Sequence, residues 1–110
     1  MVISPGDVVM VDVQFSDQSG HKQRPALVLT AMDANGDFLV VPITTSSNHA
    51  NGVLLDPGRF AKGGLPRQSW IRADLVYTVN TATFVKQFGT LKAEAVKEVL
   101  KVLCPKIGCK

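Results

Sequence analysis

The feature that most limits this chain is a run of period-two patterning punctuated by turn residues, which admits a β-sheet and little else. From Asp7 to Phe15 the residues alternate, so that Val9, Val11, Val13 and Phe15 share one face and Val8, Met10, Asp12 and Gln14 the other. Pro5-Gly6 ahead of this strand is a turn pair. Ser16 to Arg24 reads as a polar loop, and Pro25 to Ala31 (PALVLTA) as a second strand, apolar enough to be central. Asn35-Gly36 is a strong hairpin signal, after which Asp37 to Thr44 (DFLVVPIT) returns as a third strand. Pro42 lies inside that third run and has no N–H for the ladder. The chain is therefore expected to deviate just before Thr44, a device that aims side chains into a site.

Thr45 to Gly52 is a polar loop and Val53 to Leu55 a short strand, ended by Asp56-Pro57-Gly58. Lys62 to Pro66 reads as a flexible link, and Ser69 to Asn80 (SWIRADLVYTVN) as the last long strand, with Trp70, Arg72 and Asp74 on one side. The period then changes. Val96, Val99, Leu100 and Leu103 fall at helical spacing, with Lys92, Glu94, Lys97, Glu98 and Lys101 opposite them. Thr90 is the expected N-cap and Pro105 the expected stop. The expected fold is mainly β with a C-terminal helix: five antiparallel strands in a small barrel or curled sheet closed by that helix.

A length of 110 residues fits one domain over 1–110, and 45% hydrophobic with 19% charged residues is a globular mix. The net charge of +3 suits an anionic partner without naming one. The N-terminus shows no basic region followed by an apolar run, and no stretch approaches the ~18 apolar residues of a membrane helix. A cytoplasmic protein without membrane contact is expected. The two cysteines, Cys104 and Cys109, have a spacing that allows pairing, but reduced thiols at the end of a cytosolic chain are the expectation. His21 and His49 lie far from them in sequence, so neither a metal nor another cofactor is expected.

Polar residues able to do chemistry gather in three places: Ser19 to Pro25, Thr44 to Ser47, and the pair Arg72 and Asp74. Singly, each has an ordinary structural explanation as a loop cation, turn chemistry or a surface ion pair. Taken in order they carry more. Gly6-Asp7 opens a strand, Lys22-Gln23-Arg24-Pro25-Ala26-Leu27-Val28-Leu29 follows, and then Val41-Pro42-Ile43-Thr44-Thr45. Gly64-Leu65, Ser69 to Asn80 and Phe88-Gly89-Thr90-Leu91 complete the series. Over nearly its whole length the chain resembles the PemK/MazF (Kid-like) family of toxin endoribonucleases.

That resemblance implies the toxin of a type II toxin–antitoxin pair: a homodimer of curled, SH3-like sheets that cleaves single-stranded RNA, including mRNA, at short sequences. It also implies a cognate acidic antitoxin whose disordered tail folds over the site. On the resemblance, Arg24 is the arginine of the Arg-Pro motif, and Thr44 is the active-site threonine, followed by Thr45. Arg72-Ala73-Asp74 corresponds to the catalytic Arg-x-Asp of the Kid/PemK branch, and Gly20-His21 to its loop glycine and histidine. Lys22 stands where many members carry Glu, and Met10 where an aromatic residue is common.

Cleavage without a metal needs a base for the 2′-OH proton, charge stabilisation at phosphorus and an acid for the leaving 5′-oxygen. Asp74 suits the base. Arg24 and Arg72 suit fixed cations on the phosphate, because a guanidinium with a pKa above ~12 keeps its protons. His21, of a residue type that titrates near ~6.5, is the expected acid, and Thr44 donates a hydrogen bond. Lys22, Gln23, Thr45, Ser46, Asn48 and Trp70 are the expected RNA-binding residues, since unpaired bases are read by edge contacts and stacking. Three other readings keep the fold: a toxin that poisons DNA gyrase as CcdB does, a degenerate module that binds RNA or protein without cutting, and a structural barrel.

Overall fold

The computed structural model describes residues 3–14, 21–45 and 52–109, without the side chains of Val13, Gln14, His21 and Lys22. Within them lie eight strands: β1 (Asp7–Gln14), β2 (His21–Val28), β3 (Asp37–Thr44), β4 (Gly52–Leu55), β5 (Phe60–Gly63), β6 (Ser69–Arg72), β7 (Tyr77–Asn80) and β8 (Phe84–Leu91). One helix, α1 (Ala93–Ile107), follows. All pairings are antiparallel, in the order β4-β6-β3-β2-β1-β8-β5, with β7 also paired to β3. The expected class, a curled antiparallel sheet with a C-terminal helix, is present, but with eight strands in place of five.

Both faces of the sheet are covered, which is why Asp7 in β1 is followed by four consecutive apolar residues, Val8 to Val11. Val8 packs with Leu27, Val41, Ile43 and Ile71 against Ala95, Val99 and Leu103 of α1. On the opposite face Val9 and Val11 pack with Ala26, Val28, Phe38, Val40 and Val79. Burying a side chain such as Leu27 or Phe38 contributes roughly 1.5–3 kcal/mol, so the two clusters dominate the stability of the sheet. The β1–β8 register shifts at Val8/Val9 and again at Met10/Val11, irregularities of the kind that add twist and curl.

Several local expectations give way to long-range pairing. The segment from His21 to Arg24 is strand rather than loop, because β1 supplies its partner: Gln14 pairs with His21 and Val11 with Arg24. β2 ends at Val28, and the Asn35-Gly36 turn is organised by Asp33, whose side chain accepts from the N–H groups of Asn35 and Asp37. Lys62-Gly63 belongs to β5 rather than to a flexible link, and lies against a strand, β8, whose polar residues hide its pattern. β5 and β8 approach so closely that a Cβ on Gly63 would sit 2.1 Å from the Phe88 carbonyl oxygen, and one on Gly89 2.2 Å from that of Lys62.

The helix also differs from expectation at both ends. Its N-cap is Lys92, while Thr90 lies in β8 and donates its hydroxyl to Asp7 Oδ1 at 3.1 Å. Asp7 Oδ2 accepts from the Ser4 N–H, so this carboxylate ties the first turn to β8. Pro105 does not stop the helix. It lies in the last turn, and Gly108 in the left-handed conformation (φ 81°) ends the helix instead. The buried stripe is Ala95, Val99 and Leu103, turned one position from the expected one, so that Leu100 is exposed. Arg59 forms an ion pair with Glu98, fastening the helix to the turn before β5.

Cys104 and Cys109 form a disulfide, against the expectation of reduced thiols. The left-handed Gly108 folds the chain back, so that the N–H groups of Gly108 and Cys109 both donate to the Cys104 carbonyl. That leaves the two Cα atoms 4.8 Å apart, within disulfide range.

Candidate RNA-cleavage site

The site is positioned by a change of partner along β3. Its first half, Asp37 to Val40, pairs with β7, whereas Ile43 and Thr44 pair with Ile71 and Trp70 of β6. Between these stretches Val41 and Pro42 on β3 face the longer segment from Arg72 to Val76 on the other side. The surplus residues leave the sheet in a turn in which the Leu75 N–H donates to the Arg72 carbonyl at 3.3 Å. Pro42, with no N–H to offer, occupies the stretch where β3 has left one partner and not reached the next. β3 itself runs unbroken through Pro42, so the deviation expected there falls on its neighbour. The run Ser69 to Asn80 is accordingly two strands, and Asp74 stands in the turn between them.

That turn brings Asp74 back onto Arg72. The Arg72 Nε donates to Asp74 Oδ1 at 2.9 Å and Nη2 to Oδ2 at 2.8 Å, a bidentate pair about three-quarters buried. Ala73 between them is fully buried and anchors the turn. The hydrogen bonds it donates to Asp74 hold the Arg72 guanidinium above its ordinary pKa; the charges of Asp74 and Tyr77 act the same way, and partial burial opposes them. Arg72 is therefore a permanent cation and a poor proton donor.

Register does the rest. Ala26 and Pro42 form the last β2–β3 pair, and two residues beyond it on each strand Arg24 and Thr44 line the same cavities, with Thr44 paired to Trp70. Arg24, Thr44 and Arg72 together line a cavity of about 200 Å³ with Pro42, Ile43, Leu75 and Tyr77. A neighbouring cavity of about 400 Å³ shares Arg24, Ile43 and Thr44 and adds Gln23, Pro25 and Thr45.

Of the residues singled out from sequence, Arg24, Thr44 and Arg72 converge on one cavity, with Asp74 bound to Arg72. Gln23 and Thr45 are exposed beside them. Trp70 is half-buried, pairs with Thr44 and lines neither of these two cavities. His21 opens β2 and Lys22 follows it, with side chains outside the described residues; Ser46 and Asn48 lie outside them altogether. Tyr77 and Leu75 are cavity residues that the sequence did not suggest. Only the β3–β7 pairing of Val40 with Tyr77 carries them there, and no local pattern announces it.

The comparisons with known proteins fit this geometry. Residues 4–106 match the family described as PemK-like, MazF-like toxin of type II toxin-antitoxin system. The chain belongs to that family. Among solved structures it resembles a MazE–MazF crystal form from Deinococcus radiodurans, with a TM-score of 0.75, 23% identity and complete coverage of both chains. It also resembles MazF from the same organism (TM-score 0.75, 22% identity, 98% of each chain). A third likeness is to a mycobacterial endoribonuclease in complex with its cognate antitoxin (TM-score 0.73, 17% identity, 98% of this chain and 95% of that one). These likenesses are ones of fold. No curated protein matches the sequence. Among the described residues no helix is long and apolar enough to cross a membrane.

Proposed function

We propose that this toxin is a metal-independent endoribonuclease that cleaves single-stranded RNA by attack of a 2′-OH on the adjacent phosphorus. The observation that carries the reading is the convergence of two arginines and a threonine on one cavity, with a carboxylate bound to one of the arginines. Two guanidinium groups against a small cavity match a phosphodiester whose charge grows in the phosphorane, the place where fixed positive charge is most effective. Fold relatives that are themselves endoribonucleases support the same reading.

Each residue has a defined part. Arg24 and Arg72 hold the non-bridging oxygens, and Thr44 donates to the phosphate or the scissile nucleotide. Asp74, held in place by the bidentate fork of Arg72, accepts the 2′-OH proton. The 2′-oxygen bonds to phosphorus as the P–O5′ bond breaks, leaving a 2′,3′-cyclic phosphate. The 5′-oxygen leaves with a proton from His21, a residue type that can hand one over near neutral pH. Lys22, Gln23, Thr45, Ser46, Asn48 and Trp70 contact the flanking nucleotides. The toxin acts in the cytoplasm as a symmetric homodimer and is neutralised by an acidic antitoxin, as relatives held by their antitoxin suggest.

Incubation of the pure protein with a mixed single-stranded RNA pool, with and without a chelator, tests this directly. The expected result is cleavage at a short motif, unaffected by chelator and lost in Arg24→Ala. Persistence of intact RNA would sink the reading and favour a gyrase poison or a module that only binds.

A further inference from the structure

Tyr77 borders the site without a part in the chemistry above. It is the only tyrosine of the chain and is 40% exposed, although it sits on a strand paired to the centre of the sheet. Its position is set by pairing with the fully buried Val40 rather than by a mobile loop. It lines the 200 Å³ cavity together with Arg24, Thr44 and Arg72. Tyr77 also borders a small apolar recess with Val11, Pro25, Ala26, Val40, Pro42 and Val79. The lining of the 200 Å³ cavity is therefore of two kinds: the cations Arg24 and Arg72 with the Thr44 hydroxyl, and the apolar Pro42, Ile43 and Leu75 with the Tyr77 ring.

A phosphate needs only the first kind of lining. The apolar lining, with an exposed aromatic ring held beside the cations, suits the π-face of a nucleobase attached to that phosphate. We propose that Tyr77 is a specificity-determining residue, the platform on which the nucleobase next to the scissile phosphate stacks. The inference rests on the endoribonuclease reading and adds to it where one base is held. Because stacking alone tolerates every base, selection at this position combines the ring with the side chains that line the cavity beside it. Trp70, the only tryptophan, lines neither described cavity and does not compete for this part.

The test compares Tyr77→Leu, Tyr77→Phe and Tyr77→Trp with the parent protein, each first shown to melt at a similar temperature. Steady-state cleavage of a short RNA and the cut-site map on a mixed pool are both recorded. Tyr77→Leu is expected to raise KM by roughly ten- to a hundredfold, the worth of one stacked base, with the smaller share of the loss in kcat. Its map should lose its base preference at one position beside the cut and keep it elsewhere. Tyr77→Phe and Tyr77→Trp, which retain a π-face, should restore both properties. An uncleavable RNA with 2′-deoxy sugar at the scissile nucleotide and 2-aminopurine as the neighbouring base gives a readout that needs no leucine variant. Its fluorescence should be quenched by the parent protein and by Tyr77→Phe. Cleavage by Tyr77→Leu with unchanged KM and map, or no quenching by the parent, overturns the assignment and leaves the endoribonuclease reading intact. If the parent protein cuts no RNA at all, both fall together.

Discussion

Arg72 and Asp74 are two residues apart, yet their side chains close a bidentate ion pair, with Nε and Nη2 on the two carboxylate oxygens at 2.9 and 2.8 Å. Two strand positions could not have met in this way so readily. The turn after β6 gives Asp74 its reach, and that turn exists because β3 changes partner at Pro42. The pair presents a cation and a carboxylate together, as a phosphate clamp and a base require.

Asp74→Asn keeps the shape and removes the basic oxygen, so kcat for RNA cleavage should fall by about 10²- to 10⁴-fold. Arg72→Lys keeps the charge but loses the fork, and should not restore activity. Because the pair retains about a fifth of its side-chain exposure (23% and 22%), either change should cost only about 1 kcal/mol of stability. Single-turnover cleavage beside denaturant melts separates the two effects.

Arg24 acts on the phosphate in both binding and the transition state. Arg24→Ala should therefore raise KM and lower kcat together, each by roughly tenfold or more. The dependence of RNA affinity on salt should also weaken, by about 0.7 in the slope of log K against log salt, the signature of one lost phosphate contact to a single strand. Filter binding across a salt series measures it.

His21 must be protonated to act as the acid, so kcat should decline as rising pH removes its proton. His21→Gln should cleave slowly, bind RNA almost as the parent does, and lack that descending limb. Parent-like rates and an unchanged pH profile for His21→Gln would assign the proton to another group.

Gly63 and Gly89 lie where β5 and β8 nearly touch. A methyl group on either would meet a backbone carbonyl oxygen at 2.1 or 2.2 Å, so Gly63→Ala or Gly89→Ala should each destabilise the protein by at least about 2 kcal/mol. Gly64, next in the chain, has nothing within 4 Å of its Cβ direction, and Gly64→Ala should change stability by no more than about 0.5 kcal/mol. Denaturant midpoints of the three variants check the contrast.

By itself the sequence determined the class of fold and the chemical types at the site. Alternation in β1 and β3, the Asn35-Gly36 turn and the helical stripe near the C-terminus are local patterns, and they survive because burial on the sheet and helix faces enforces them. Arg24 before Pro25 and Thr44 after Pro42 were legible as motifs. Tertiary structure decided everything that depends on a partner distant in the chain. His21 to Arg24 became strand because β1 satisfies its backbone, polar side chains notwithstanding. Ser69 to Asn80 became two strands because β3 pairs with its two ends in different registers. The same sheet brought Arg24 and Thr44 to one cavity and carried Tyr77 there too, where no local signal had suggested it. Backbone hydrogen bonds between strands are made over long sequence separations, so their register is a property of the assembled sheet. The residues of the site are written in the chain, and their meeting is written in that register.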